Sequence, residues 1–403
     1  MKSFRILFLI LFLPIITVAQ NIAVTGKISS ADTKSPIAGA SVFLSNSSFG
    51  TSTANNGTFT LNGLKPGQYS LIVTTIGYED YTQILAVNTA PVNLNIELRP
   101  KTVQLKEVVI SNISKADRKL ALEQFKQDFI GTDQNALDCK IVNPQVLNFT
   151  FSQNKTVLEA YTDELLIIEN NALGYRIKFL LKTFKSELLS GNVAYSGSQF
   201  FEEMKGGDGK KKRWYKKRDE AYYGSAMHFY RALYKDSLAD AGFKVYRLAR
   251  QVNSSRPTDE EIEQNLDKAK KSNDDSYLYW TSIKNHTRYT NQKFKGKFAV
   301  SDILKSTERP GLLAITFTDN LYVVYTKRWE TNYYKDVYRI PNDLNYETTI
   351  VSYVNNNQAI LIDRNGTIIG NSPLYEGTWS KLRLSTLLPV DYAPYGKQPM
   401  PLN

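Results

Sequence analysis

Ile22-Ala23-Val24-Thr25-Gly26-Lys27-Ile28, Ala40-Ser41-Val42-Phe43-Leu44, Thr58-Phe59-Thr60-Leu61, Tyr69 to Thr75, Tyr81 to Val87 and Val92 to Leu98 are short runs of β-forming residues. Their spacing decides the fold of the first quarter of the chain. Asn56-Gly57, between Thr51-Ser52-Thr53 and Phe59-Thr60-Leu61, is the dipeptide of a tight hairpin, because both central residues of that turn take positive φ. Lys65-Pro66-Gly67-Gln68 reads as a second turn, with Pro setting φ early and Gly reversing it. Strands this close together, with no helix between them, predict an all-β antiparallel sandwich over residues 21–100 rather than a parallel sheet.

Several pieces of the same stretch carry a resemblance. Gly26-Lys27-Ile28, Pro36-Ile37-Ala38-Gly39-Ala40-Ser41-Val42, Gly57-Thr58-Phe59 and Gly63-Leu64-Lys65-Pro66-Gly67-Gln68-Tyr69 resemble the carboxypeptidase-regulatory-like family over residues 22–98. The resemblance implies a transthyretin-like sandwich, similar to the accessory domain of metallocarboxypeptidases and to the N-terminal extension of many TonB-dependent transporters of Bacteroidota. Ile76-Gly77-Tyr78-Glu79 and Leu105-Lys106-Glu107-Val108-Val109-Ile110 fit the transporter-associated form. Ala54 departs from the pattern, which usually has Asp before the turn. Peptidase activity is not implied, since the zinc ligands of the catalytic domain are missing.

Upstream, Lys2 and Arg5 precede an apolar run, Ile6 to Ile16, that is too short to span a bilayer. Thr17-Val18-Ala19-Gln20 follows with small residues suited to cleavage at Ala19 or Gln20. The expectation is a signal peptide over residues 1–20, no lipid-anchoring cysteine after it, and a protein exported to the periplasm, outer membrane or cell surface.

At 403 residues and 42% hydrophobic content the chain can bury at least two cores. The formal charge of +11 becomes +9 without Lys2 and Arg5, and between residue 21 and Lys101 four basic residues balance four acidic ones. The whole surplus therefore lies from Lys101 onward. On an exported protein a basic surface suits lipopolysaccharide phosphates, acidic glycans or peptidoglycan rather than nucleic acid, with an ordinary solvated surface as the alternative. Cys139 stands alone, so no internal disulfide forms, and it reads as a small buried hydrophobe. His228 and His286 have no zinc-ligand spacing, and neither a metal nor a cofactor is expected.

After a linker at 101–113, residues 114–275 predict an α+β region containing a basic helix, and 276–403 its β-rich continuation, the sheet mostly antiparallel. Ser114 with Asp117 caps a helix whose Ala121, Phe125 and Phe129 share a face, and Gly131 stops it. Strands are expected at Val146–Phe151, Val157–Ala160, Leu165–Glu169, Tyr175–Leu181 and Asn192–Phe200. Thr258 with Glu261 opens another helix, its acidic start and lysine-rich end suiting the helix dipole. Tyr277–Ile283, Leu312–Thr318, Leu321–Thr326, Thr348–Val354, Ala359–Ile362 and Thr367–Ile369 read as further strands, with hairpins at Asp319-Asn320 and Asn365-Gly366. The end, around Leu387-Leu388-Pro389-Val390-Asp391-Tyr392, resembles an uncharacterised domain that follows such sandwiches in exported Bacteroidota proteins.

The most unusual segment runs from Lys210 to Arg218, where Lys210, Lys211, Lys212, Arg213, Lys216, Lys217 and Arg218 surround Trp214 and Tyr215. Trp214, Arg218, Ala221, Tyr222, Ser225, Phe229, Ala232 and Leu233 recur at helical spacing, which makes most of these aromatics core on one continuous helix. Arg213, Trp214, Tyr215 and Arg218 are the candidate ligand contacts, since an Arg beside aromatic rings holds a sugar or phosphate by stacking and charge-assisted hydrogen bonds.

No catalytic set stands out. Asp163-Glu164, Asp259-Glu260-Glu261 and Asp274-Asp275 are adjacent carboxylates, and neighbours on a strand point to opposite faces. Gly206-Gly207-Asp208-Gly209 lacks the ending of a phosphate loop, and Asp236-Ser237-Leu238 matches a short O-glycosylation pattern. The expectation is a cell-envelope binding or scaffold protein with a glycan or protein partner, peripheral to the membrane at most. An Asp/Glu hydrolase and an outer-membrane β-barrel accessory protein are the alternatives.

Overall fold

The computed structural model describes residues 22–65, 67–87, 90–101, 113–272, 276–331, 345–354, 359–370 and 372–395. The expected signal peptide, Pro66, most of the expected linker, Asp274-Asp275 and the C-terminal tail lie outside them. The described residues of Met1–Val42 and Thr51–Pro100 form one compact unit, and those of Phe43–Gly50 and Lys101–Asn403 another.

The first unit is built on two sheets. One has the order β4-β1-β7, from β1 (Ile22–Ser30), β4 (Thr58–Leu64) and β7 (Val92–Leu98). The other has the order β3-β2-β5-β6, from β2 (Ser41–Leu44), β3 (Gly50–Ser52), β5 (Gly67–Thr74) and β6 (Tyr81–Val87). Alternate residues of β1, from Ile22 through Val24 and Ile28, are buried, as a strand with one wet face requires. Phe59, Leu71, Val73, Leu85 and Ile96 complete that core.

Two features differ from the sequence expectation. The Asn56-Gly57 turn is present, with Gly57 at φ 78°, but β3 and β4 belong to different sheets, so the turn carries the chain across the sandwich instead of closing a hairpin. β1 also runs parallel to β7, in unbroken register from Val24 opposite Val92 to Ser30 opposite Leu98. Because β7 arrives only after the chain has laid down the other sheet, no short loop constrains its direction.

The second unit opens with α1 (Lys115–Phe125), capped by Ser114, whose hydroxyl accepts the Asp117 amide at 3.0 Å. Its last turn widens into a π-helix, Lys126–Ile130, and stops at Gly131. This segment buries Ala121, Phe125 and Phe129 against a six-stranded antiparallel sheet. The sheet comprises β8 (Cys139–Ile141), β9 (Leu147–Phe151), β10 (Val157–Thr162), β11 (Leu166–Asn170), β12 (Tyr175–Glu187) and β13 (Asn192–Glu203). β12 is long enough to pair with β11 at one end and β10 at the other along one edge, and with β13 along the opposite edge.

Helices α2 (Asp208–Tyr222) and α3 (Ala226–Tyr234) follow. One continuous helix was expected here. The chain instead turns at Gly224, φ 84°, and restarts with Ser225 capping the His228 amide. A side chain at Gly224 would meet the Arg328 guanidinium and the Tyr325 ring within 3 Å, so the break is where another element needs the space. After β14 (Phe243–Val252) come α4 (Asp259–Ser272), closed at its start by the Thr258–Glu261 capping box, and α5 (Ser276–Asn285). The expected strand at Tyr277–Ile283 is thus a helix. Its partner is α4, through contacts that include Lys284 to Glu263 at 2.5 Å, and tertiary packing overrides the β-propensity of its aromatic residues.

A five-stranded antiparallel sheet then forms in the order β15-β14-β18-β19-β22, and a four-stranded one in the order β16-β17-β20-β21. Their remaining strands are β15 (Tyr289–Lys297), β16 (Leu304–Ser306), β17 (Leu312–Ile315), β18 (Asn320–Trp329), β19 (Tyr346–Ser352), β20 (Ile360–Asp363), β21 (Ile368–Ile369) and β22 (Leu374–Gly377). Asn365-Gly366 joins the paired strands β20 and β21 as a hairpin, whereas Asp319-Asn320 links strands of different sheets. One continuous core joins Phe129, Phe179, Phe229, Phe243, Ile315 and Trp379 from all three sheets and the helices between them.

Candidate functional site

The two faces of α2 separate cleanly. Trp214, 8% exposed, donates its indole N–H to the Asn171 carbonyl at 2.8 Å. Its ring fills the space above Gly174 and Gly206, where any Cβ would stand 2.2 and 2.6 Å from it. Arg218, 2% exposed, donates from Nε to the Leu173 carbonyl (2.7 Å), from Nη2 to the Gly174 carbonyl (3.3 Å) and from Nη1 to Glu203 (2.5 Å). Its guanidinium also lies 3.8 Å from the Tyr175 ring centroid. Both side chains therefore spend their polar groups inside the protein, fastening α2 to the turn before β12 and to the end of β13.

The other two candidate residues face outward or sideways. Arg213 is exposed, as are Lys210, Lys211, Lys212 and Lys216, and none of these five cations is in an ion pair among the described residues. Lys217 pairs with Glu220 at 3.0 Å. Tyr215 is half-buried and stacks on Tyr395, ring centroids 5.1 Å apart and planes 13° off parallel. Asp219 fixes that stack by accepting the Tyr395 amide (3.0 Å) and the Tyr392 hydroxyl (2.5 Å). Tyr395, 79% exposed, gave no pattern signal in the sequence. The arrangement is an aromatic stack on a helix whose exposed side carries cations without ion pairs, two of them, Lys211 and Lys212, next to Tyr215.

Other titratable groups are less suited to chemistry on a ligand. His228 sits among the rings of Tyr222, Tyr223, Phe243 and Tyr325, accepts the Gly224 amide at Nδ1 (3.2 Å), and is pushed down to about 4 by burial and then by Arg231 and Arg328. Cys139 borders a cavity of about 210 Å³ with Lys126, Ile130 and Lys140, and its thiol is pushed up to about 12 by burial and by Asp133 and Asp138. It is therefore protonated and a poor nucleophile. Among the described residues no three His, Cys, Asp or Glu side chains gather as a metal site, and no helix is long and apolar enough to cross a membrane.

Residues 24–110 match the CarboxypepD_reg-like domain family. This CarboxypepD_reg-like domain takes in the sandwich and runs past its last strand. No curated protein matches the chain. Among solved structures, the pilus 2b backbone protein of group B streptococcus is 22% identical over 20% of this chain and 42% of its own, with a TM-score of 0.19. A putative carbohydrate binding protein from Bacteroides uniformis is 9% identical over 39% of this chain and 57% of its own, at 0.17. A putative membrane-associated protein of unknown function from Bacteroides fragilis is 9% identical over 89% and 93%, at 0.16. The chain thus spans less than half of the pilus protein, and at these TM-scores none of the three bears on what it does.

Proposed function

We propose that this is an exported cell-envelope binding protein in which α2 recognises an anionic glycan of the envelope and the sandwich, whose residues 21–100 carry no net charge, is an appended module. The observation that carries the reading is the outer side of α2, where Lys211 and Lys212, four and three residues before Tyr215, adjoin the Tyr215–Tyr395 stack, with exposed Lys210, Arg213 and Lys216 further round the helix and none of the five in an ion pair. A pyranose ring stacks on an aromatic face, and its carboxylate, phosphate or sulfate groups meet the lysines. Trp214 and Arg218 act beneath this surface as its support. Substituting them would therefore test folding rather than recognition.

The test is binding of heparin and polygalacturonate, with neutral dextran as control, to the protein and to a Lys211→Glu, Lys212→Glu, Lys216→Glu variant and a Tyr395→Ala variant. Expected are salt-sensitive binding of both acidic polymers, its loss on charge reversal, and weakening of roughly tenfold without Tyr395, the scale of one stacking contact. Equal binding by protein and variants would remove α2 as the site.

A further inference from the structure

Arg328 on β18 uses one guanidinium to tie the C-terminal end of α2 to β19. Nη1 donates to the Glu220 carbonyl (2.9 Å) and Nη2 to the Tyr223 carbonyl (2.5 Å), both at the C-terminal end of α2. Nε and Nη2 meet a single oxygen of Glu347 on β19, at 3.1 and 3.0 Å. The last carbonyls of a helix lack intrahelical donors and form its negative pole, so a cation placed there fixes the helix end. Gly224, without a Cβ, leaves the guanidinium its room.

The surroundings of Glu347 are crowded. With Tyr325, Thr378, Trp379 and Gly224 it lines a narrow crevice with no room for a water. The titratable groups acting on Glu347 are Arg328 from β18 and Glu330 just after that strand, and Tyr325, its register partner on β18, faces Tyr223 from the turn after α2. His228 of α3 contacts Tyr325, under the field of Arg231 and Arg328. Glu330 accepts from Thr378 at 2.6 Å. The Tyr325 hydroxyl is buried in this gap without a hydrogen-bond partner.

We propose that the Arg328–Glu347 pair is a proton-operated latch on the C-terminal end of α2, gripping while Glu347 is ionised and slackening when it takes up a proton. An ionised Glu347 gives Arg328 its counter-charge and keeps the guanidinium turned toward the two helix carbonyls. A protonated Glu347 keeps only the weaker, neutral form of that contact. Burial, opposed by Arg328 and reinforced by Glu330, pushes the Glu347 carboxyl up to about 7, which places the transition near neutrality. As regulation of α2 this rests on the reading of that helix as a binding surface, but the latch itself is testable without any ligand.

The experiment is amide hydrogen exchange at Tyr222 and Tyr223 in the full chain between pH 8.5 and 5.5, corrected for intrinsic exchange, with amides of the six-stranded sheet as the fold control. The expected result is a loss of protection of roughly tenfold on acidification, the scale of one charge-assisted hydrogen bond. Glu347→Gln should show the low protection at every pH. Arg328→Lys, which keeps the charge without the fork, should lose protection at both ends. Protection that does not change with pH in the unaltered protein overturns the latch, whatever happens to heparin binding. Protection that changes with pH while heparin binds at neither end supports the latch and removes the binding reading.

Discussion

His228 and Glu347 both neighbour Tyr325, and burial shifts them in opposite directions. Glu347 rises from 4.5 to about 7, so the stability it contributes is fully present below 4.5 and is lost as pH rises through 7. His228 falls from 6.5 to about 4, so its contribution is present above 6.5 and is lost as pH falls through 4. Each is worth about 3 kcal/mol at its full extent. Between about pH 5 and 6.5 the two slopes cancel, and this window lies above the titration of the paired carboxylates Asp117, Glu187 and Asp259, which are held below their ordinary range. Urea denaturation should therefore give a nearly flat stability profile there. His228→Gln should become more stable as pH falls across the window, and Glu347→Gln less stable. Profiles parallel to that of the unaltered protein in both variants would show that neither group titrates as its burial requires.

At the scale of elements, α2 joins two kinds of residue that look alike in the sequence. Arg218→Met removes the donors of the Leu173 and Gly174 carbonyls and should cost about 3 kcal/mol, as breaking a buried charged hydrogen-bond set does. Lys212→Ala on the outer face should change stability by no more than about 0.5 kcal/mol. Equal losses in urea denaturation would contradict the two-faced helix. Helical spacing did mark Trp214 and Arg218 as inward, because it reports which residues share a face. It cannot report that Arg218 meets carbonyls 44 and 45 residues upstream, so a support was legible only as a ligand contact. Strands β6 and β7 fall where their runs of β-forming residues put them, and one wet face gives both a period-two burial. α5 was missed for the opposite reason: Tyr277, Tyr279, Trp280 and Ile283 favour strands locally, and α4 beside them decided the outcome. The same limit hid the sheet assignments of β3 and β4, because a turn dipeptide specifies a reversal of the backbone and leaves the pairing partner open.

Along the whole molecule, charge is distributed unevenly. From residue 21 the sequence carries a surplus of nine positive charges, all of it from Lys101 onward, while only five unpaired cations line the outer face of α2. Two modes of polyanion binding follow, and salt separates them. If α2 alone engages the polymer, five cations release at most five counterions, and the slope of log affinity against log salt is about −4 or shallower. If the basic surplus of the second unit acts collectively, the slope is steeper, and reversing three lysines on α2 lowers it only in part. Lys178, Arg176 and Lys155 elsewhere in that unit are paired with Glu202, Glu169 and Asp117, and reading α2 as the site commits to the first mode. Heparin titrations between 50 and 300 mM salt, about the range over which screening length halves, should give the shallow slope, and Lys211→Glu, Lys212→Glu, Lys216→Glu should take it close to zero. A steep slope that survives the triple reversal would assign binding to the field of the unit as a whole, and α2 would then be one contributor to that field rather than a site.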